Sequence, residues 1–204
     1  MLATPADSAD LLGRLRARTR SEHNAIEGAL DLMRDDLSLS DHRRLIERFF
    51  GFYAPVEAQL ACLLPGAGLG LDFEARRKLP WLRADLEALG GQAPDTLAVC
   101  DALPTLHTPA QAVGCLYVLE GATLGGQLIG RHLLRTLGLT PETGARFYHG
   151  NGARTAEMWL ALRTALAGFA TDPPTAEAVV ESANATFRSL RRWCAAVHST
   201  KENP

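Results

Sequence analysis

The sequence predicts an all-α fold built as a single multi-helix domain. Apolar residues recur at steps of three and four along nearly the whole chain. Alternating runs of the kind that make half-buried strands are essentially missing. Threonine followed by proline, an N-cap with a first-turn residue, marks helix starts at Thr108-Pro109 and Thr140-Pro141. A chain of 204 residues buries a substantial core without disulfides or metal staples.

The first helix reads from Leu12, with Leu15, Thr19, His23, Ile26, Leu30 and Met33 on one face. Ser40 is the expected cap of the second, which carries Leu45, Ile46, Phe49, Phe50, Tyr53, Val56 and Leu60. Pro55 is expected to kink or break it, and Pro65 to Gly68 to end it as a loop. Asp72 is the expected cap of a third helix through Leu79, interrupted at Pro80 and closed by Gly90-Gly91. Residues 96–101 add a turn or two. Thr108-Pro109 opens a long fourth helix to Leu137, with Gly138 as its C-cap. A short helix follows Thr140, another runs from Ala153 to Ala170, and a last one runs from the Thr175 cap to about His198. One domain spans 1–204, with 1–8 and 199–204 as flexible tails.

Composition narrows the function classes. The net charge is −2, so the 19 arginines do not form a nucleic-acid footprint. Four cysteines (Cys62, Cys100, Cys115, Cys194) lie far apart, which suits reduced thiols in a cytoplasmic protein and excludes a zinc knuckle. The N-terminus lacks the basic-then-apolar order of a signal peptide. Ala110 to Leu134 is rich in small and apolar residues, but Glu120, Gln127, Arg131 and His132 interrupt it. No run of about 18 uncharged apolar residues remains to cross a membrane.

Two features are not easily absorbed by ordinary packing, although helix–helix contact and a hydrogen-bonded core histidine are the plainer readings. Gly114, Gly121, Gly125, Gly126 and Gly130 fall within 17 positions of the fourth helix, and each costs about 1 kcal/mol relative to alanine. A side-chain-free helix face admits something flat, either a partner helix or a planar ligand. The second feature is His23 in an apolar stripe, with Glu27 one turn later. A carboxylate on one ring nitrogen leaves the other free for a metal. Arg16 and Arg20, two turns and one turn earlier, are placed to meet ligand carboxylates or to form ion pairs along the helix. No Glu-x-x-His, His-Glu-x-x-His, P-loop, Gly-x-Ser-x-Gly or Cys-Pro sequence occurs.

The segment from Leu15 through His23 to Glu27 resembles the proximal helix of the haem oxygenases, bacterial type. Leu116-Tyr-Val-Leu-Glu-Gly121-Ala-Thr-Leu-Gly125-Gly126-Gln127 resembles their glycine-rich distal helix. Asn184 and Phe187 fit that family's C-terminal pattern. The resemblance implies that His23 ligates haem iron with Glu27 behind it. Gly121, Gly125 and Gly126 would form the catalytic distal wall. Arg16, Arg163, Tyr117 and Phe187 would complete the haem contacts. It further implies oxidative opening of haem, at once cofactor and substrate, to biliverdin, carbon monoxide and ferrous iron. Oxygen, an electron-donating reductase or ferredoxin, and a bilin-accepting phytochrome are the implied partners; nucleic acid and membrane are not.

The chain departs from the family at Ala122, where many members carry an aspartate that holds a water beside bound oxygen. Glu120 lies about 200° around the helix from Ala122 and is a poor substitute. Three alternatives stay open: a haem carrier that does not degrade its ligand, a thiaminase-like hydrolase using Cys115, and a helical module whose glycine faces bind a partner helix.

Overall fold

Helix α4 (Pro109–Leu137) is the element on which the others are set. In the computed structural model, residues 11–170 and 172–195 are described. The expected tails at 1–8 and 199–204, and the expected end of the last helix at His198, lie outside them. Before α4 come α1 (Leu11–Leu30), α2 (Leu39–Leu63) and α3 (Leu79–Ala88); after it come α5 (Arg146–His149), α6 (Thr155–Ala167) and α7 (Pro173–Ala195). Short 3-10 turns at Leu64–Ala67, Glu74–Arg76, Pro94–Thr96 and Gly152–Arg154 join them. No strand occurs among the described residues. The all-α expectation therefore holds.

The start and stop of α4 follow its local chemistry. Thr108 accepts from the Gln111 N–H while the Gln111 side chain accepts from the Thr108 N–H, a reciprocal capping box. Gly138 closes the helix at φ +68°, a left-handed turn that glycine adopts without strain. By length and composition α4 could cross a membrane, but 56% of its most apolar stretch is buried, as in a core helix. It packs against α7 and α6 along its first half and against α5 farther on.

Several expected boundaries move. Ser38, not Ser40, caps α2, and its partner in the capping box is Asp41. Asp72 closes only the 3-10 turn at 74–76, through the Glu74 and Ala75 N–H groups; α3 starts at Leu79, with Pro80 in its first turn. Pro65 to Ala67 continue as a 3-10 turn rather than an open loop. The stretch after Thr140 is a turn, and the short helix waits until Arg146. Asp172, not Thr175, caps α7, accepting from the Thr175 N–H.

Pro55 does not break α2, for an identifiable reason. A proline removes the bond to the carbonyl four residues back, here Gly51. The Cys100 N–H donates to that carbonyl at 3.0 Å instead. A side chain at Gly51 would collide with the Ala98 carbonyl oxygen, so glycine lets the 98–100 strap reach the freed acceptor.

Buried charges tie the connections to the core. Glu120 on α4 is 4% exposed and pairs with both Arg76 and Lys78, the latter at 2.6 Å. Glu57 on α2 accepts from the Lys78 N–H at 2.6 Å, at the start of α3. Burial raises the Glu57 carboxyl above its usual value, and the Lys78 and Leu79 N–H groups pull it back.

Candidate haem-binding site

Helix α1 lies along α7, and ion pairs stitch the two together. Glu177 receives Arg14 and Arg18, and Glu22 faces Arg188 and Arg191. Leu12, Leu15, Thr19 and Ile26 are buried along α1, but His23 stands at the edge of that stripe, 52% exposed. Its Nδ1 lies 3.4 Å from Glu27 Oε2. Its ring meets the buried Phe187 of α7 edge-on, with centroids 5.7 Å apart. The half-exposed histidine thus has one carboxylate and one aromatic edge as its neighbours. Met33, expected on the same face, lies beyond the helix and is exposed.

One turn before His23, Thr19 lies against the buried Tyr117 hydroxyl of α4, with Arg16 close by. Burial raises the Tyr117 phenol, and the Arg16 charge and the Thr19 hydroxyl draw it down. One turn after Tyr117 comes Gly121. From this contact α1 runs on to His23 and α4 to the glycine segment. Trp159 of α6 packs on Tyr117 with centroids 5.8 Å apart. Arg163, one turn farther along α6, is exposed.

The glycines of α4 divide into two kinds. A methyl group placed at Gly114 would sit 2.1 Å from the Val179 carbonyl oxygen of α7. One at Gly126 would sit 2.9 Å from the Tyr148 carbonyl oxygen, and one at Gly130 would sit 3.6 Å from the Tyr148 Cβ. Gly114 and Gly126 are bare so that neighbouring elements approach closely, while Gly130 borders Tyr148 at ordinary contact distance. At Gly121 and Gly125 a methyl group meets no atom within 4 Å. Beside them Leu124 and Leu128 are 39% and 54% exposed. This face of α4 is apolar, side-chain-poor and without protein cover. Gly126, expected on the same wall, instead faces α5.

Other residues singled out earlier have different work. Glu120 is committed to Arg76 and Lys78 on the inner side of α4. Asn184 donates back to the Val180 carbonyl at 3.2 Å, within its own helix. Cys115 is fully buried beside Thr186, and burial pushes its thiol up to about 12, which removes the thiolate a nucleophile needs. Among the described residues no cluster of three metal-binding side chains forms.

The described residues thus define an all-helical protein that presents a half-exposed histidine beside a carboxylate and a bare glycine face. The Heme oxygenase family model matches residues 9–196. The chain belongs to the haem oxygenase family. A curated heme oxygenase from Xanthomonas campestris pv. campestris (strain 8004) is 36% identical over 92 residues, 45% of this chain. That match spans about half (52%) of the relative's length. Among solved structures, heme oxygenase from Leptospira interrogans superposes with a TM-score of 0.77 at 21% identity, covering 92% of this chain and 99% of that one. The NO- and CO-bound heme oxygenase from Neisseria meningitidis gives 0.81 at 17% identity, covering 97% and 96%. Heme oxygenase-1 from Synechocystis sp. PCC6803, solved in complex with heme, gives 0.77 at 18% identity, covering 94% and 93%.

Proposed function

We propose that this chain is a haem oxygenase of the bacterial type. It holds haem between α1 and α4 and opens the ring to biliverdin, with release of carbon monoxide and ferrous iron. The observation that carries this reading is the pairing of a half-exposed, carboxylate-backed His23 with the uncovered face at Gly121 and Gly125. Bound haem would supply the iron chemistry that activates oxygen, and it is also the substrate consumed. Oxygen and electrons from a reductase or ferredoxin complete the reaction, and a bilin-accepting phytochrome is the consumer we favour. The free thiol at buried Cys100, Cys115 and Cys194 suits a cytoplasmic setting.

The residues of the chain have separate tasks. Glu27 orients His23, while Phe187 limits rotation of the ring. Gly121 and Gly125 let a flat ligand lie against helix backbone, which crowds the space on that side toward the edge of the macrocycle. Arg16 and Tyr117 form a polar edge suited to propionate groups, and the exposed Arg163 on α6 is a further candidate for that role. Ala122 offers no carboxylate on this face, which leaves the proton-relay group unassigned among its side chains.

The test is an absorbance time course of purified protein with one equivalent of haemin, in air, after addition of a reductant. Loss of the Soret band with growth of a broad red bilin absorption is the expected result. A stable histidine-ligated spectrum would instead identify a haem carrier, the reading that Ala122 favours. Absence of binding would overturn both.

A further inference from the structure

Helix α5 is only four residues long, yet it backs the glycine segment of α4. The Tyr148 carbonyl faces Gly126, the Tyr148 side chain faces Gly130, and Gly150 lies against Thr123. These contacts set the depth at which Gly121 and Gly125, on the opposite side, stand toward α1. What holds α5 therefore holds the wall.

Two buried side chains do that from outside the site. Asp85 of α3, fully buried, accepts from the Arg146 N–H at 2.6 Å and the Phe147 N–H at 2.8 Å, one on each carboxylate oxygen. His42 of α2, also fully buried, donates through Nε2 to the Gly144 carbonyl at 2.7 Å, and its ring lies 5.8 Å from that of Tyr148. Gly144 itself, at φ +120°, has Leu89 closely beneath it. We propose that Asp85 is a positioning residue for the haem-facing wall: its carboxylate clamps α5, and α5 sets the register of α4 behind Gly121 and Gly125. The inference rests on the haem oxygenase reading of that wall.

The clamp depends on charge. An ionised carboxylate offers an acceptor to each N–H; a protonated one keeps a single acceptor and turns a hydroxyl toward the second N–H. Burial raises Asp85 to about 6, against the lowering effect of the Phe147 and Arg146 N–H groups and of the Arg146 charge. The groups facing it are Arg146 and Tyr148 from α5, with His42 from α2 on the other side of the same segment. The Arg146 guanidinium is itself occupied, donating to the Gly150 carbonyl at 2.8 Å and lying over Trp81. Protonation thus loosens α5 at one N–H without unfolding the core.

Backbone amide spectra of the haem-free protein between pH 5 and 8 test this. The Arg146 and Phe147 amides are expected to shift with a midpoint near 6, and the Gly126 and Gly130 amides to shift with the same midpoint. Asp85→Asn flattens all four, and His42→Gln leaves the midpoint in place. In haem conversion, the wild type loses rate through that midpoint, and Asp85→Asn runs at the acid-side rate throughout. Flat Gly126 and Gly130 amides in the wild type, a titration that vanishes in His42→Gln but survives in Asp85→Asn, or a conversion rate with no limb near 6 would each overturn the proposal. The wild-type amide titration needs no variant to fold. Absence of haem conversion at every pH, with the amide coupling intact, would overturn the haem oxygenase reading instead.

Discussion

Replacing Gly121 by alanine separates folding from function on α4. In a helix interior, glycine costs about 1 kcal/mol relative to alanine through backbone entropy. At Gly121 the added methyl meets no atom within 4 Å, so nothing in the protein offsets the gain. The haem-free variant should therefore be more stable by about 1 kcal/mol, a rise in Tm of about 2–4 °C for a chain of this size. The same holds for Gly125→Ala. Gly126→Ala serves as the control, because its methyl would sit 2.9 Å from the Tyr148 carbonyl oxygen. There an overpacking cost of about 1–3 kcal/mol cancels or exceeds the propensity gain. The assays are thermal denaturation without ligand and titration with haemin followed at the Soret band. Gly121→Ala should melt higher yet hold haem more weakly, as a methyl intrudes where the macrocycle lies. A lower Tm for Gly121→Ala would show that the face is packed. A higher Tm with undiminished haem binding and conversion would show that the bare face is no ligand wall.

Other perturbations follow from the same coordinates. His23→Ala removes a side chain that is 52% exposed, so Tm should hold while the histidine-ligated absorption spectrum is lost; an unchanged spectrum refutes the ligand assignment. Glu120→Gln leaves Arg76 and Lys78 buried without an anion and should cost about 3–5 kcal/mol in urea unfolding, whereas a loss below about 1 kcal/mol would refute the buried pairing. Cys115→Ser should convert haem at the wild-type rate, and complete loss of conversion with normal haem binding would revive a cysteine chemistry. Burial holds His42 below its ordinary 6.5, so the folded chain binds fewer protons than the unfolded one. The stability it contributes is complete above 6.5 and is lost as the pH falls. Asp85, raised from 3.8 to about 6, acts with the opposite sign and favours folding as the pH falls between those values. Denaturant titrations at several pH values should therefore show a shallower acid-side loss in His42→Gln than in the wild type, and equal slopes would refute the assignment to His42.

Local chemistry was legible and long-range exchange was not. Thr108-Pro109 and Gly138 bound α4 where expected, because a cap and a left-handed closure involve only neighbours in sequence. Ser38 was missed in favour of Ser40 because both precede an apolar run; the capping partner Asp41, three residues after Ser38, was the distinguishing signal. Pro55 misled because its remedy, the Cys100 N–H on the Gly51 carbonyl, comes from residues far along the chain. The glycine cluster was visible as a whole, but only the neighbours Val179 and Tyr148 sort Gly114, Gly126 and Gly130 from Gly121 and Gly125. Asp85 carried an unread signal. It stands on the buried face of α3 between Leu82 and Leu86, where a lone carboxylate has to be capping something.

The polarity of α4 links these points. Glu120 is the sole acidic residue between Pro109 and Leu137, and it is turned inward to Arg76 and Lys78. The open side offers Gly121, exposed Ala122, Leu124, Gly125 and Leu128, none of which titrates. A carboxylate there would be easily ionised and strongly hydrated, and would hold water against an otherwise apolar wall. Its absence leaves that wall with no protonation state of its own. An acid limb in haem conversion that enters from behind the helix, through Asp85 and α5, also moves the Gly126 amide in the protein without haem, and is recognised by that coupling.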